Sequence, residues 1–436
     1  MNFNVASYVT RIEANRTIKD ELMERLLQTR PRQRISVTDL LNIRKAYMQR
    51  LHPEIQPPID RKEIMFAGKG FHDLFGRAVS SEEYLEQFVE WNGIVGVIDL
   101  YKDVPTELKT TYGVGEGEEL RTSRPYYVEQ LAMYCAMADK TEGRLVLYQR
   151  ESKKEEPSLS VYDATFSDLD MVRKEMIERK DALINALEIN SPEGLPACPW
   201  RGRGCEFEPI CGCSDAPEFE PKIAQSVQPL VLNPEEAEKL LSLISSSRPT
   251  YQAGLNTLVF PRKAYYESLK KYKETDTELL DSMKRFGHKK VIADAIQFGK
   301  GMDSLRKSVS FGDLQGRITY FKGTPTLLRS VRLNSVVSRD ALIRLFPHYL
   351  LRLAFECALT NSTKGRLIIH YEKLDEESKL MVYDITFSEV KELLKEAEGR
   401  LLALKKARDG QLDPKELAPC PSWMRTRCPY QPTCGC

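Results

Sequence analysis

Residues 93–110, GIVGVIDLYKDVPTELKT, carry the pattern on which the reading of this chain turns. Gly93–Tyr101 is short, apolar and β-branched, which predicts a buried strand. Asp103-Val104-Pro105 is a turn signal, and Thr106–Thr111 predicts a second strand beside the first. Asp99 ends the first strand and Glu107 lies on the second, so pairing of neighbouring strands brings two carboxylates to one point. Glu107 and Lys109 are two residues apart and project from the same face of their strand. Two rigidly held carboxylates beside a cation can hold a divalent metal, polarise a phosphate and orient its attacking water. Hard oxygen ligands favour Mg²⁺ or Mn²⁺ over zinc. His72, in GKGFH at 68–72, offers a nitrogen ligand that tilts the preference towards Mn²⁺.

Outward from this stretch the expected order is α/β. ISVTDLLNIRKAYMQRL, from residue 35, has apolar residues spaced for one buried helix face. Pro125 to Ala138 reads as a helix with proline in its first turn, carrying Gln130 and Tyr134 at i and i+4. RLVLYQ and LSVYDATFS supply two more strands, and Leu169 to Leu187 a long amphipathic helix. The expectation is a small mixed sheet flanked by helices.

The same order occurs twice. GRLVLYQRESKKEEPSLSVYDATFS at 143–167 matches GRLIIHYEKLDEESKLMVYDITFS at 365–388, and PYYVEQLAMYCAM matches PHYLLRLAFECAL. RKAYMQRL at 44–51 lies over RKAYYESL at 262–269. The expected domains are a helical extension over 1–35, a module over 36–213, a linker over 214–253 and a second module over 254–436. The linker rests on the Pro-rich, acidic run SDAPEFEPKIAQSVQPLVLNPEE.

Each module ends in four cysteines: Cys198, Cys205, Cys211 and Cys213, then Cys420, Cys428, Cys434 and Cys436. Both quartets close on Cys-Gly-Cys. Matched quartets point to metal or redox chemistry before structural disulfides. Four thiolates suit an iron–sulfur cluster or a structural zinc, since both are tetrahedral in sulfur. Cys135 and Cys357 lie on apolar helices and read as packing residues.

The chain has 436 residues, 64 basic against 63 acidic, 42% hydrophobic and 29% charged. That excludes disorder, collagen-like sequence and disulfide miniproteins, and a net charge of +1 excludes a protein that is basic throughout. No stretch approaches the ~20 apolar residues of a membrane span. The first residues lack an apolar signal core, so the expectation is a cytoplasmic protein with no membrane partner.

GKGFH at 68–72, GIVGVID at 93–99, PTELKT at 105–110 and QLAMY at 130–134 resemble the RecB-like nucleases of the PD-(D/E)XK superfamily, in the iron–sulfur branch that includes CRISPR adaptation nucleases. The resemblance implies two restriction-endonuclease-like modules in tandem. It implies metal ligation by His72, Asp99 and Glu107, with Lys109 assisting the water and Gln130 and Tyr134 facing the DNA backbone. It also implies a [4Fe–4S] cluster in each module. The family's early cysteine before Pro-Arg is replaced by Ile43 and by Phe260, so the local fourth cysteine takes that role, zinc being the alternative. In the second module Thr319, Leu327 and Arg329 stand for Asp99, Glu107 and Lys109, and Arg352 and Glu356 for Gln130 and Tyr134. His288 is the expected counterpart of His72. That module is expected to be inactive, with Arg329 and Arg352 gripping phosphate. The function expected is a Mg²⁺- or Mn²⁺-dependent deoxyribonuclease acting on single strands or DNA ends, in repair or CRISPR-type defence, alongside a helicase or CRISPR adaptation partner. The alternative is a non-catalytic nucleic-acid-binding subunit of such a complex.

Overall fold

The computed structural model describes residues 3–28, 33–111, 118–150, 158–199, 201–202, 205–247, 254–269, 275–421, 424, 428 and 430–434. The chain divides into two units: Thr29–Arg248 with Glu274–His288, and Met1–Gln28 with Pro249–Lys273 and Lys289–Cys436. It begins with β1 (Val9–Ala14) and α1 (Arg16–Leu27), both in the second of these.

The first unit contains β2 (Ile35–Ser36), α2 (Val37–Leu40), α3 (Ile43–Leu51), α4 (Ile59–Val79), β3 (Leu85–Trp91), β4 (Ile94–Leu100) and β5 (Thr106–Thr111). It continues through α5 (Glu118–Ser123), α6 (Pro125–Met137), β6 (Glu142–Gln149), β7 (Ser158–Thr165), α7 (Leu169–Glu188), α8 (Lys222–Ser226), β8 (Val231–Leu232) and α9 (Pro234–Ser247). Its sheet runs β2-β4-β5-β6-β7-β8, with β3 also on β4. Pairs β2–β4 and β5–β6 are parallel and the others antiparallel. Asn92 and Gly93 close the β3–β4 hairpin, both at positive φ (49° and 73°), as a tight primed turn requires. Helices α6, α7 and α8 help build one core, containing Val128, Leu131, Met176 and Ile223. A second core gathers Phe71 and Phe75 of α4, Leu108, Tyr148, and Leu240 and Ile244 of α9.

The expected helix from residue 35 is broken into β2, α2 and α3. Ser36 caps α2 in a reciprocal capping box with Asp39, and Asn42 caps α3, so the polar residues stop and restart the helix. The expected linker over 214–253 is also revised for its described part. β8 pairs with the outer edge of β7, and α9 packs Ala237, Leu240 and Ile244 into the core, so this stretch completes the first unit. Residues 248–253 lie outside the described residues.

The second unit contains α10 (Asn256–Val259), α11 (Pro261–Leu269), and the end of α12 (Asp276–Ala295). It then has β9 (Ser304–Phe311), β10 (Leu314–Phe321), β11 (Thr324–Val331), α13 (Arg339–Leu345), α14 (Pro347–Leu359), β12 (Lys364–Tyr371), β13 (Leu380–Phe387) and α15 (Val390–Arg408). Its sheet order is β1-β13-β12-β11-β10-β9, with β11–β12 parallel. The expected extension over 1–35 is corrected: β1 pairs antiparallel with β13, and residues 1–28 belong to this unit. Each unit thus covers the open edge of its last long strand, β7 or β13, with an added strand, which hides unpaired backbone groups.

Both units are α/β, a mixed sheet flanked by helices. Strands β3 to β7 pair in the same alternation as β9 to β13. One close contact recurs: a Cβ at Gly143 would stand 2.7 Å from Cys135 Sγ, and one at Gly365 2.7 Å from Cys357 Sγ. Among the described residues no helix is long and apolar enough to cross a membrane.

Candidate active site

In the first unit Asp99 comes from the end of β4, Glu107 and Lys109 from β5, Gln130 and Tyr134 from α6, and His72 from α4. Asp99 Oδ2 accepts from the Leu108 backbone N–H at 2.8 Å, which ties the two strands together at the carboxylate. His72 Nδ1 lies 3.7 Å from the same oxygen. Lys109 Nζ donates to Glu107 Oε1 and, at 2.7 Å, to Gln130 Oε1; it also lies 5.4 Å from the centre of the Tyr127 ring. Gln130 Nε2 in turn donates to Tyr134 Oη at 3.1 Å.

The electrostatics follow from burial. Glu107 is 2% exposed, and burial followed by the Asp99 charge pushes its carboxyl up to about 8. Burial also works to raise Asp99, yet the neighbouring His72 and Lys109, with the Leu108 N–H, hold it below the usual carboxylate range. Lys109 is raised: burial opposes its charge, and Glu107 and Asp99 outweigh that. Glu107 Oε2 is buried without a hydrogen-bond partner among the described residues. A cleft of 260 Å³ opens here, lined by His72, Asp99 and Leu108, with Asp73, Glu82, Glu86 and Arg77 also on its wall. Four carboxylates against one arginine give it a field that attracts cations.

The site therefore gathers all six expected residues, but Gln130 and Tyr134 are placed differently from the expectation. Tyr134 is 4% exposed and its hydroxyl meets Gln130, so these two support Lys109 from behind. Gly96 on β4 makes room, because a Cβ there would stand 2.7 Å from the Tyr134 ring.

All four cysteines of the first quartet are buried in one small core with Ile43, Tyr47, Met48 and Phe207. Ile43 thus packs in the same cluster as the four cysteines. The Cys198 backbone N–H donates to Cys213 Sγ at 3.3 Å, and Cys198 Sγ to Asn42 Oδ1 at 2.9 Å. Hydrogen bonding to Cys205 raises the Cys198 thiol, and the same bond lowers Cys205 to about 6. Burial lifts Cys211 to about 11. Of the second quartet, Cys420 and Cys434 are buried and Cys428 partly so; Cys436 lies outside the described residues. Among the described residues no three or more His, Cys, Asp or Glu side chains are placed to hold a metal ion.

The sequence reading missed Arg44 and Arg262, which begin the two RKAY motifs. Arg44 Nη1 donates to the Cys211 carbonyl at 2.7 Å, and its Nη2 to those of Leu195 and Pro192 at 2.6 and 2.9 Å. Arg262 Nη2 donates to the Leu417 carbonyl at 2.7 Å, and also to that of Lys415. In each unit one arginine joins the early helix to the segment before or within the cysteines. Its signal was available: an arginine repeated at matching places in both modules.

The second unit's counterpart carries Arg329 on β11 and Arg352 and Glu356 on α14, with Thr319 on β10 and Leu327 on β11. His288 is not part of it: His288 Nε2 lies 2.6 Å from Glu63 Oε2 within the first unit. The residue there is Lys289, whose ammonium feels the charges of Arg329, Arg352 and Glu356.

No protein-family model and no curated protein matches this chain. A solved structure described as "Crystal structure of SSO0001" aligns over 45% of this chain and 94% of that chain, at 15% identity and a TM-score of 0.30.

Proposed function

We propose that the first unit is a Mg²⁺- or Mn²⁺-dependent deoxyribonuclease that hydrolyses phosphodiester bonds in single strands or at DNA ends. The observation that supports this is that His72 and Asp99 line a cation-attracting cleft, while Glu107, buried on the neighbouring strand, pairs with Lys109, which Gln130 braces. The donor set suits a hard divalent ion: two carboxylates, one with a buried oxygen that has no hydrogen-bond partner among the described residues, and one imidazole. His72, Asp99 and Glu107 would hold that ion, which when bound would supply Lewis-acid polarisation of the phosphate and a more acidic water. Their side chains would first have to draw together, because no three such groups among the described residues are placed to hold a metal. Burial and Asp99 raise the Glu107 carboxyl, and a bound cation would favour its charged form. Lys109 places a fixed positive charge where negative charge develops on the phosphate oxygens. Gln130 and Tyr134 keep that cation in place.

In this reading the four cysteines of each unit hold a [4Fe–4S] cluster, with structural Zn²⁺ as the alternative. Support comes from the single buried core shared by Cys198, Cys205, Cys211 and Cys213. Absorption near ~400 nm in anaerobically purified protein, with iron content, distinguishes the two. A cleavage assay on single-stranded and duplex DNA with Mn²⁺ tests the activity. DNA binding without cleavage would favour a non-catalytic binding subunit in its place.

A further inference from the structure

We infer that Lys289, Arg329, Arg352 and Glu356 of the second unit form a metal-independent binding site for a phosphomonoester. The inference goes beyond the nuclease reading, because it does not need the first unit to cleave anything.

Three cations stand here where the first unit has His72, Lys109 and Gln130. Arg329 and Arg352 take the positions of Lys109 and Gln130 in the repeat. Lys289 is two residues beyond Gly287, as His72 is two beyond Gly70, and those two glycines pack against each other inside the first unit. The change is therefore coordinated: the carboxylates Asp99 and Glu107 have become Thr319 and Leu327, Lys109 stays a cation as Arg329, and His72 and Gln130 have become Lys289 and Arg352. Fixed positive charge can do for an anion what a bound metal does for a phosphate.

The positions are built. Arg352 Nε donates to Glu356 Oε1 at 2.6 Å and Nη1 to Asn256 Oδ1 at 3.0 Å, which fixes the plane of the guanidinium. Arg329 donates to the Leu328 carbonyl at 3.0 Å and lies 5.4 Å from the Tyr349 ring centre. Glu356 is 2% exposed, whereas Lys289, Arg329 and Arg352 keep partial exposure. One carboxylate cannot balance three neighbouring cations, and a partly buried excess of positive charge favours an anion. Burial and Arg352 disfavour the charged form of Arg329, and burial and Arg329 that of Lys289, as expected of cations crowded together.

Glu356 decides which anion. Its Oε2 is buried with no partner among the described residues. Burial raises the carboxyl, Arg352, Arg329 and Lys289 oppose that, and in the ionised form those cations favour it only accepts. A phosphomonoester with its second ionisation near pH ~6 carries a P–OH that can donate to this oxygen. Its remaining oxygens accept from Arg329, Arg352 and Lys289. Sulfate and a phosphodiester have no such proton at that pH. The carboxylate thus selects a monoester while the cations supply affinity.

The test is calorimetric titration of the full-length protein with inorganic phosphate and with sulfate, in EDTA at pH 6. The expected result is saturable phosphate binding, about tenfold or more tighter than sulfate. R329Q/R352Q should weaken phosphate by about tenfold or more, while E356Q should bring the two anions to equal affinity. Circular dichroism and melting temperature identify any variant that fails to fold. For such a variant, phosphate-induced stabilisation of the wild-type protein, absent with sulfate, takes over as the readout. Competition by a 5′-phosphorylated oligonucleotide but not by its 5′-hydroxyl form places the monoester at a strand end; competition by neither assigns the site to free phosphate or small esters. No saturable phosphate binding by the wild type, or unchanged affinity in folded R329Q/R352Q, overturns the inference.

Discussion

Lys109 donates to Gln130 Oε1 at 2.7 Å, so the cation of β5 is held by α6 as well as by Glu107. This makes Gln130 a positioning residue. In the nuclease reading Gln130→Ala should lower kcat by about 10-fold or more, as expected when transition-state charge stabilisation is misplaced. KM for DNA should change little, and Gln130→Glu should restore part of the rate. Tyr134→Phe removes one hydrogen bond and should cost no more than about 1.5 kcal/mol of stability. A large rise in KM with kcat unchanged would return Gln130 to the DNA surface.

Arg44 and Arg262 should be structural in their own units. Arg44→Ala leaves the carbonyls of Leu195, Pro192 and Cys211 without their donor. The loss should be about 3 kcal/mol or more, since hydrogen bonds from a charged group contribute about 1.5–3 kcal/mol each. Urea denaturation of R44A and R262A measures it, and a change under about 0.5 kcal/mol would show that the bonds are incidental.

Gly70 and Gly287 meet where α4 and α12 cross in the first unit. A Cβ on Gly70 would stand 2.1 Å from the Gly287 backbone, and the reverse substitution is equally tight. The neighbour is backbone and cannot swing away, so Gly70→Ala should destabilise by about 1–3 kcal/mol or more despite alanine's better helix propensity. A thermal melt unchanged in G70A or G287A would refute the close crossing.

Lys289 gives a pH signature. Burial, then Arg329 and Arg352, lower its folded-state pKa to about 8, against about 10.4 in an unfolded chain. Between these values the unfolded chain binds more protons, so the Lys289 contribution makes stability rise as pH increases from about 8 to about 10. Below pH 8 the charged lysine is held at a cost among its neighbours. Lys289→Met should flatten the rise, read as unfolding free energy against pH; an equal rise in the variant would place the titration elsewhere.

How much of this was legible in the sequence differs by element. β5, expected over Thr106–Thr111, is observed over those residues, and α6 differs from its expected end by one residue. Their patterns are local, so propensity and the turn at Pro105 suffice. The position of β1 was not legible, because its partner β13 is more than 360 residues away and its own burial alternates poorly. The stretch 214–247 looked like a linker through its prolines and acids, although Ala237, Leu240 and Ile244 already had helical spacing. At the site, Asp99, Glu107 and Lys109 followed from strand periodicity. Lys289 was missed because the repeat was matched on histidine, and a helix aligns by its packing contacts, here Gly70 with Gly287.

In the proposed nuclease, Asp99 and Glu107 make the first unit metal-dependent. The direct test is cleavage of an end-labelled single-stranded oligonucleotide in Mn²⁺ by the wild-type protein, D99A and E107A, with folding checked by circular dichroism. The expected result is cleavage by the wild type, abolished by EDTA, and a rate lower by about 10³-fold or more in each folded variant. Wild-type rates in either variant, or no cleavage by metal-loaded wild-type protein on any DNA end or strand, would contradict it.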